Sequence, residues 1–237
     1  VFVNGDMVRE MAERFGSPVQ TMFEVEVGTD EFDFIRSTQH HGRSHDATLY
    51  VMHEGNLVVN AKHFYPPGMF RAPSGGLNVG ESFDDAIARE LWEETGCRAD
   101  IVGFLLTAHV RFVRGETGRL LSVKDVESDS PNLDPSVSDK SGHASVPRPS
   151  RWDLQTRTDP TASCGRPTNV IVWTSFVFQL NYIEGDFEFT DHREIREVTT
   201  VPLSAFDQIG RTMRASDKGG LHYRAALHER VTPLLQL

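Results

Sequence analysis

Between Gly75 and Cys97 the chain fixes a helix, the face that helix presents and the chemistry open to that face. Ser82-Phe83-Asp84-Asp85 has the form of a capping box: a hydroxyl for an orphan amide of the first turn, and an acid three residues on that reaches back. The spacing predicts a helix starting near Ser82, with Ala86, Ile87, Ala88, Leu91 and Trp92 as good formers or apolar surface and Gly96 as a left-handed stop. Its length is about three to four turns. Glu90, Glu93 and Glu94 fall at i, i+3 and i+4, so their carboxylates share one face. Like charges that close repel. Two arrangements tolerate them: a solvated acidic surface, or a cation between them. A hard divalent cation, Mg2+ or Mn2+, takes oxygen ligands and bridges carboxylates to phosphates.

The fixed positions of the stretch decide between the two. Gly75, five residues, Glu81, seven residues, then Arg89-Glu90-Leu91-Trp92-Glu93-Glu94-Thr95-Gly96-Cys97 resembles the Nudix box, G-x5-E-x7-R-E-U-x-E-E-x-G-U with U apolar, at every fixed position. The resemblance spans roughly Ala47 to Phe206 and implies an α/β (α+β) fold, a mixed sheet sandwiched between helices, with the box as a loop-helix-loop that holds the metal. It implies an Mg2+-dependent hydrolase, with Mn2+ as a substitute, that cleaves the pyrophosphate of a nucleoside diphosphate linked to another group, such as ADP-ribose or a nucleotide sugar. Carried over by position, Glu93 and Glu94 match metal ligands, Glu90 a ligand or general base, Arg89 the arginine that orients the glutamates, and Glu81 a supporting acid. Pro73-Ser74-Gly75 stands where the family often has Pro-Gly-Gly, and a backbone carbonyl at Ser74 can still serve the metal. A further acid from outside the box is expected just before the last core strand, at Glu194 or, failing that, Glu197. Members are often dimers, so a homodimer fits the resemblance. Two other classes share the fold: a catalytically silent ligand-binding or regulatory domain, and an isomerase of prenyl diphosphates. Silent domains tend to lose box glutamates, and this chain keeps Glu81, Glu90, Glu93 and Glu94. Features that mark coenzyme A, NADH, ADP-ribose or dinucleoside polyphosphate substrates are absent, among them a proline after the box, so no substrate is singled out.

The 237 residues carry a formal net charge of −10, which opposes wrapping a nucleic-acid polymer or adhering to an anionic membrane. A small polyphosphate is repelled as well, so a metal and local cations must compensate. Lys62, His63 and Arg71, just upstream of the box, are candidates for phosphate contacts. Cys97 and Cys164 are the only cysteines and stand far apart, in no disulfide or zinc pattern. No apolar run reaches membrane-spanning length, and the expected setting is cytoplasmic.

Residues 1–46 read as an N-terminal extension and 47–237 as the Nudix domain. Met7, Val8, Met11 and Phe15 predict a helix over Asp6 to Phe15; Val19 to Val27 alternates as a half-buried strand; Phe32, Phe34 and Ile35 suit the start of a second strand. Gln39 to Asp46, with three histidines, reads as a solvated turn rather than a metal site. Ala47–His53 and Leu57–Lys62 flank a hairpin turn at Glu54-Gly55-Asn56. Ile101 to Val113 and Asn169 to Leu180 read as buried strands that pair as neighbours, with helices following at Pro202 and Tyr223. The residues between, 114–168, are rich in Ser, Pro, Asp and Gly and read as a long inserted loop. Within it Trp152, beside Arg151 and Arg157, is a candidate to stack on a base or dock to a second subunit.

Overall fold

The computed structural model describes residues 2–39, 42–126 and 169–236. The elements are α1 (Gly5–Phe15), β1 (Val19–Val27), α2 (Thr29–Thr38), β2 (His45–His53), β3 (Asn56–Lys62), β4 (Ser74–Gly75), α3 (Phe83–Thr95), β5 (Cys97–Arg114), β6 (Arg119–Asp125), β7 (Val170–Gly185), β8 (Ile195–Pro202), α4 (Phe206–Arg214) and α5 (Gly219–Val231). All eight strands join one mixed sheet in the order β6-β1-β5-β7-β2-β3-β8, with β4 attached to β2. The pairs β1–β5 and β2–β7 are parallel and the rest antiparallel.

Alternation along the strands sends side chains to two cores, one on each face of the sheet. Met11 of α1 and Phe83, Ile87 and Leu91 of α3 pack with Leu49, Val51, Val58 and Phe178 on one face. Phe32 of α2, Ile209 and Met213 of α4, and Tyr223 and Val231 of α5 pack with Phe23, Val25, Tyr50 and Val59 on the other. Phe83 meets Phe176 edge-on at 5.1 Å and Phe178 at 5.6 Å. Each such ring, fully buried, is worth roughly 1.5–3 kcal/mol, which fixes α3 to the sheet through its first turn.

The expected hairpin forms about Glu54 and Gly55, both at positive φ (50° and 78°), so the strands turn without splaying. The expected pair of buried strands also forms, as β5 against β7, and register shifts near Gly103 accommodate the length of β5. Three readings need correction, the first being the solvated turn at Gln39 to Asp46, since His45 and Asp46 begin β2 and are each 6% exposed. Phe32, Phe34 and Ile35 lie in the helix α2, not a strand: Phe32 is fully buried while Phe34 is 62% exposed, and both edges of β1 are already taken by β5 and β6. The expected loop after Arg114 begins instead with a strand, because Arg119–Asp125 pairs antiparallel with β1. Trp152, Arg151, Arg157 and Cys164 lie outside the described residues, as do His40 and His41. Among the described residues no helix is long and apolar enough to cross a membrane.

Candidate active site

The local chemistry of α3 places the box. Ser82 Oγ accepts the Asp85 amide at 3.1 Å and donates to the Asp85 carboxylate at 2.8 Å, closing the first turn. Gly96 ends the helix in the left-handed region (φ 67°), and its amide donates to Trp92 O at 2.9 Å. A side chain at Gly96 would meet the backbone of Glu188, its Cβ 2.4 Å from the carbonyl oxygen. Close approach of that loop is useful: the amides of Thr190 and Asp191 donate to Glu93 O at 3.0 and 2.9 Å, satisfying a carbonyl of the last turn. Asp191 Oδ1 then accepts the amides of Arg193 and Glu194 at 3.2 and 3.3 Å. This turn, held to α3, carries Glu194 to Lys62.

Arg89 is the hub of the box. It donates to both Glu81 oxygens at 2.8 Å, to Glu90 at 2.7 Å, to Glu93 at 3.3 Å and to the Gly76 carbonyl at 3.0 Å. The Arg89 hydrogen bonds hold the Glu81 carboxyl below the usual carboxylate range. Burial, opposed by Arg89, pushes Glu90 the other way and raises its pKa. Two carboxylates on one arginine are thus driven apart by environment. The Glu90 carboxylate lies over Gly75, where a Cβ would come 1.8 Å from its carboxyl carbon and displace it.

Glu94 is built differently. It is 3% exposed and faces the sheet, accepting from Asn60 Nδ2 at 2.8 Å and the Ser74 amide at 2.9 Å. Lys62 Nζ donates to it at 3.2 Å and also pairs with Glu194, so an ammonium sits between a carboxylate of α3 and one from the turn before β8. Arg71 stands 3.6 Å from Glu94 and donates to Ser74 Oγ at 2.8 Å. Burial works to raise the Glu194 carboxyl, but the Lys62 hydrogen bond, with the charges of Lys62, Arg71 and Arg43, holds it low. Glu93, by contrast, has a side chain 45% exposed.

The structure therefore brings together Glu81, Arg89, Glu90 and Glu93 as one group, and Lys62, Arg71, Glu94 and Glu194 as a second joined to it through α3. Glu197 lies on β8, paired with Ala61. His63 is exposed and its ring contacts His192 O at 3.1 Å. Three further side chains enter that sequence reading did not name. Asn60 had a visible signal: it shares a strand face with Val58 and Lys62, a polar residue in an apolar run. Arg43, from the turn expected to be solvated, is half-buried, with its guanidinium 2.4 Å from where a Cβ on Gly76 would lie. Arg224 on α5 donates to Asp46 at 2.9 Å, Thr48 at 3.0 Å and Ser74 Oγ at 3.3 Å.

For a metal the donor chemistry fits: carboxylate oxygens and peptide carbonyls, a glycine that lets Glu90 lie on the loop, and a cation already bridging two of the acids. As the side chains stand, no three His, Cys, Asp or Glu residues converge on one point among the described residues. Arg89 and Lys62 hold the carboxylates in two groups.

The NUDIX domain model matches residues 40–139. An RNA pyrophosphohydrolase of Cereibacter sphaeroides is 35% identical over 60 residues, which are 25% of this chain and 37% of that protein. The chain thus aligns with well under two thirds of that relative. A UDP-X diphosphatase structure aligns at a TM-score of 0.36 and 14% identity, covering 83% of this chain and 71% of the other. A NUDIX hydrolase from Nitrosomonas europaea aligns at 0.42 and 13%, covering 82% and 97%. Residues 40–139 thus match the NUDIX domain, and the complete box they contain stands on a capped helix.

Proposed function

We propose that this chain is a divalent-cation-dependent hydrolase that cleaves the pyrophosphate bond of a nucleoside diphosphate linked to a second group, such as ADP-ribose or a nucleotide sugar. The observation that carries the reading is the Arg89 hub, which aims Glu90 and Glu93 off one helix face while five hydrogen bonds fix its guanidinium. Glu90, Glu93 and Glu94, with Glu194 from the facing loop, would hold the cation, Mg2+ in our reading. When bound it supplies charge neutralisation at the phosphate oxygens and lowers the pKa of the attacking water. Glu90, held by Arg89 on the helix face, would serve as ligand or as the base that takes the proton from that water. Lys62 and Arg71, with Arg43 and Arg224 close by, provide the positive charge that a chain of net charge −10 needs to receive a polyphosphate. The same net charge favours a small nucleotide over an RNA polymer, although one relative is named for RNA. A cytoplasmic setting and a homodimer complete the reading.

The test is hydrolysis of a nucleotide panel with Mg2+ or Mn2+, following release of monophosphate. Wild type is expected to turn over at least one diphosphate-linked nucleotide. Glu93→Gln and Glu90→Gln are each expected to lower kcat by about 100-fold or more, the usual scale for a lost group acting in the transition state. Full activity in both variants would sink the assignment. Tight binding of a nucleotide by a wild type that turns over no member of the panel would favour the silent ligand-binding class.

A further inference from the structure

A cavity of about 810 Å³ opens between α2, α5 and the loop at Phe64 to Met69, within the size range of small-ligand sites. It shares side chains with the box: Arg71 and Arg224 line it, and both donate to Ser74 Oγ, whose amide holds Glu94. Away from those arginines the walls are mostly apolar, formed by Phe34, Phe64, Met69, Trp173 and Leu221. Phe34 and Phe64 are 62% and 75% exposed, a costly display for rings that serve only packing. Acceptors are few. Glu31 is committed to the amides of Gly219 and Gly220, both at 2.9 Å. Asp46 is 6% exposed and lends Oδ2 to Arg224, while its Oδ1 has no partner among the described residues.

Resting on the hydrolase reading above, we infer that this cavity takes the base of the nucleotide, specifically one carrying an exocyclic amine. The cationic end fixes the phosphates, so the apolar end receives the uncharged remainder. A planar ring stacks there on Phe34, Phe64 or Trp173. Asp46 Oδ1 then accepts one N–H from the ring, relieving a buried, unpaired oxygen.

Equilibrium binding tests this without turnover, so it stands or falls apart from the hydrolase reading. AMP, CMP, GMP, UMP and ribose 5-phosphate are titrated calorimetrically against wild type and against a Phe34→Ala/Phe64→Ala variant, whose exposed positions leave folding intact. At least one amino-bearing nucleotide is expected to bind tenfold or more tighter than ribose 5-phosphate, and that preference to shrink fivefold or more in the variant. Equal binding of ribose 5-phosphate and all nucleotides, or a preference untouched by the variant, overturns the base pocket. UMP binding as tightly as the best amino-bearing nucleotide overturns the role given to Asp46.

Discussion

Lys62 is the residue on which the buried half of the site rests. Glu94 has two neutral donors, Asn60 and the Ser74 amide, but its charge is balanced chiefly by the Lys62 ammonium, itself 7% exposed. Removing one partner of such a pair leaves an uncompensated buried charge, at a cost of about 3–5 kcal/mol. Lys62→Met is therefore expected to lose stability on that scale in denaturant unfolding at pH 7, while Glu93→Gln, at a half-exposed position, shifts it by no more than about 0.5 kcal/mol. Equal stability of the two variants would refute the structural part assigned to Lys62. This difference between adjacent glutamates was not legible in the sequence. Spacing alone puts Glu93 and Glu94 on the same face and in the same role; only the register of β3 shows that Asn60 and Lys62 reach one of them. The Arg89–Glu81 contact was legible, because it depends on a local turn and one helix. Arg224, Asp46 and Arg43 were not, because strands and helices distant in sequence bring them to Ser74 and Gly76.

Among the elements, α5 ties the second core to the box face through polar groups buried along its length. His228 lies 2.6 Å from Tyr50 Oη through Nδ1, is 2% exposed and stacks edge-on against Phe206 at 4.7 Å. Burial, with the nearby charges of Arg224 and Arg71, lowers its pKa from 6.5 to about 3. The unfolded chain binds this proton below about 6.5 and the folded chain does not until near 3. The stability it represents is thus fully present above pH 6.5 and is lost as pH falls toward 3. Between pH 6.5 and 4.5 the loss is roughly 2–3 kcal/mol at about 1.4 kcal/mol per unit. His228→Gln should flatten that part of the pH-stability curve in urea unfolding; an unchanged slope would show that His228 does not control it. The elements that sequence reading found, α1, β1, the β2–β3 hairpin and α3, have strong periods and explicit caps or turns. It missed α2 because three apolar residues in four fit either period, and it is the charge at Asp30 and Glu31 near the helix N-terminus that favours the helix. It missed β6 because that strand is short and at the sheet edge, and Leu120, Leu121 and Val123 stand in a run otherwise rich in Ser, Pro, Asp and Gly.

For the whole molecule, β6 draws a boundary inside the long polar segment. β1 gives one edge to β5 and the other to β6, with Phe23 opposite Val123 and Thr21 opposite Asp125. Thr21 Oγ1 donates to Asp125 at 3.1 Å, and Arg230 of α5 pairs with the same carboxylate. Removing residues 114–168 would take these with it and leave β1 as an open edge, prone to pair with another chain. Removing 127–168 would keep them. The length of the replacement follows from the sheet. Asp125 sits beside Thr21, which is level with Ala108, whereas β7 begins at Val170 opposite Val113. The ends are therefore three strand spacings apart, about 14 Å, and five residues apart along the strands, about 17 Å. The diagonal is about 22 Å, which about seven extended residues span. A bridge must also pass around side chains, so about fifteen Gly/Ser residues are called for. We expect 127–168 replaced by such a linker to give a non-aggregating, cooperatively unfolding protein, and 114–168 replaced by the same linker to aggregate or to lose several kcal/mol of stability. Size-exclusion chromatography with urea unfolding of both variants checks this. If the larger deletion folds as well as the smaller, β6 is dispensable, and the sheet closes adequately on β1.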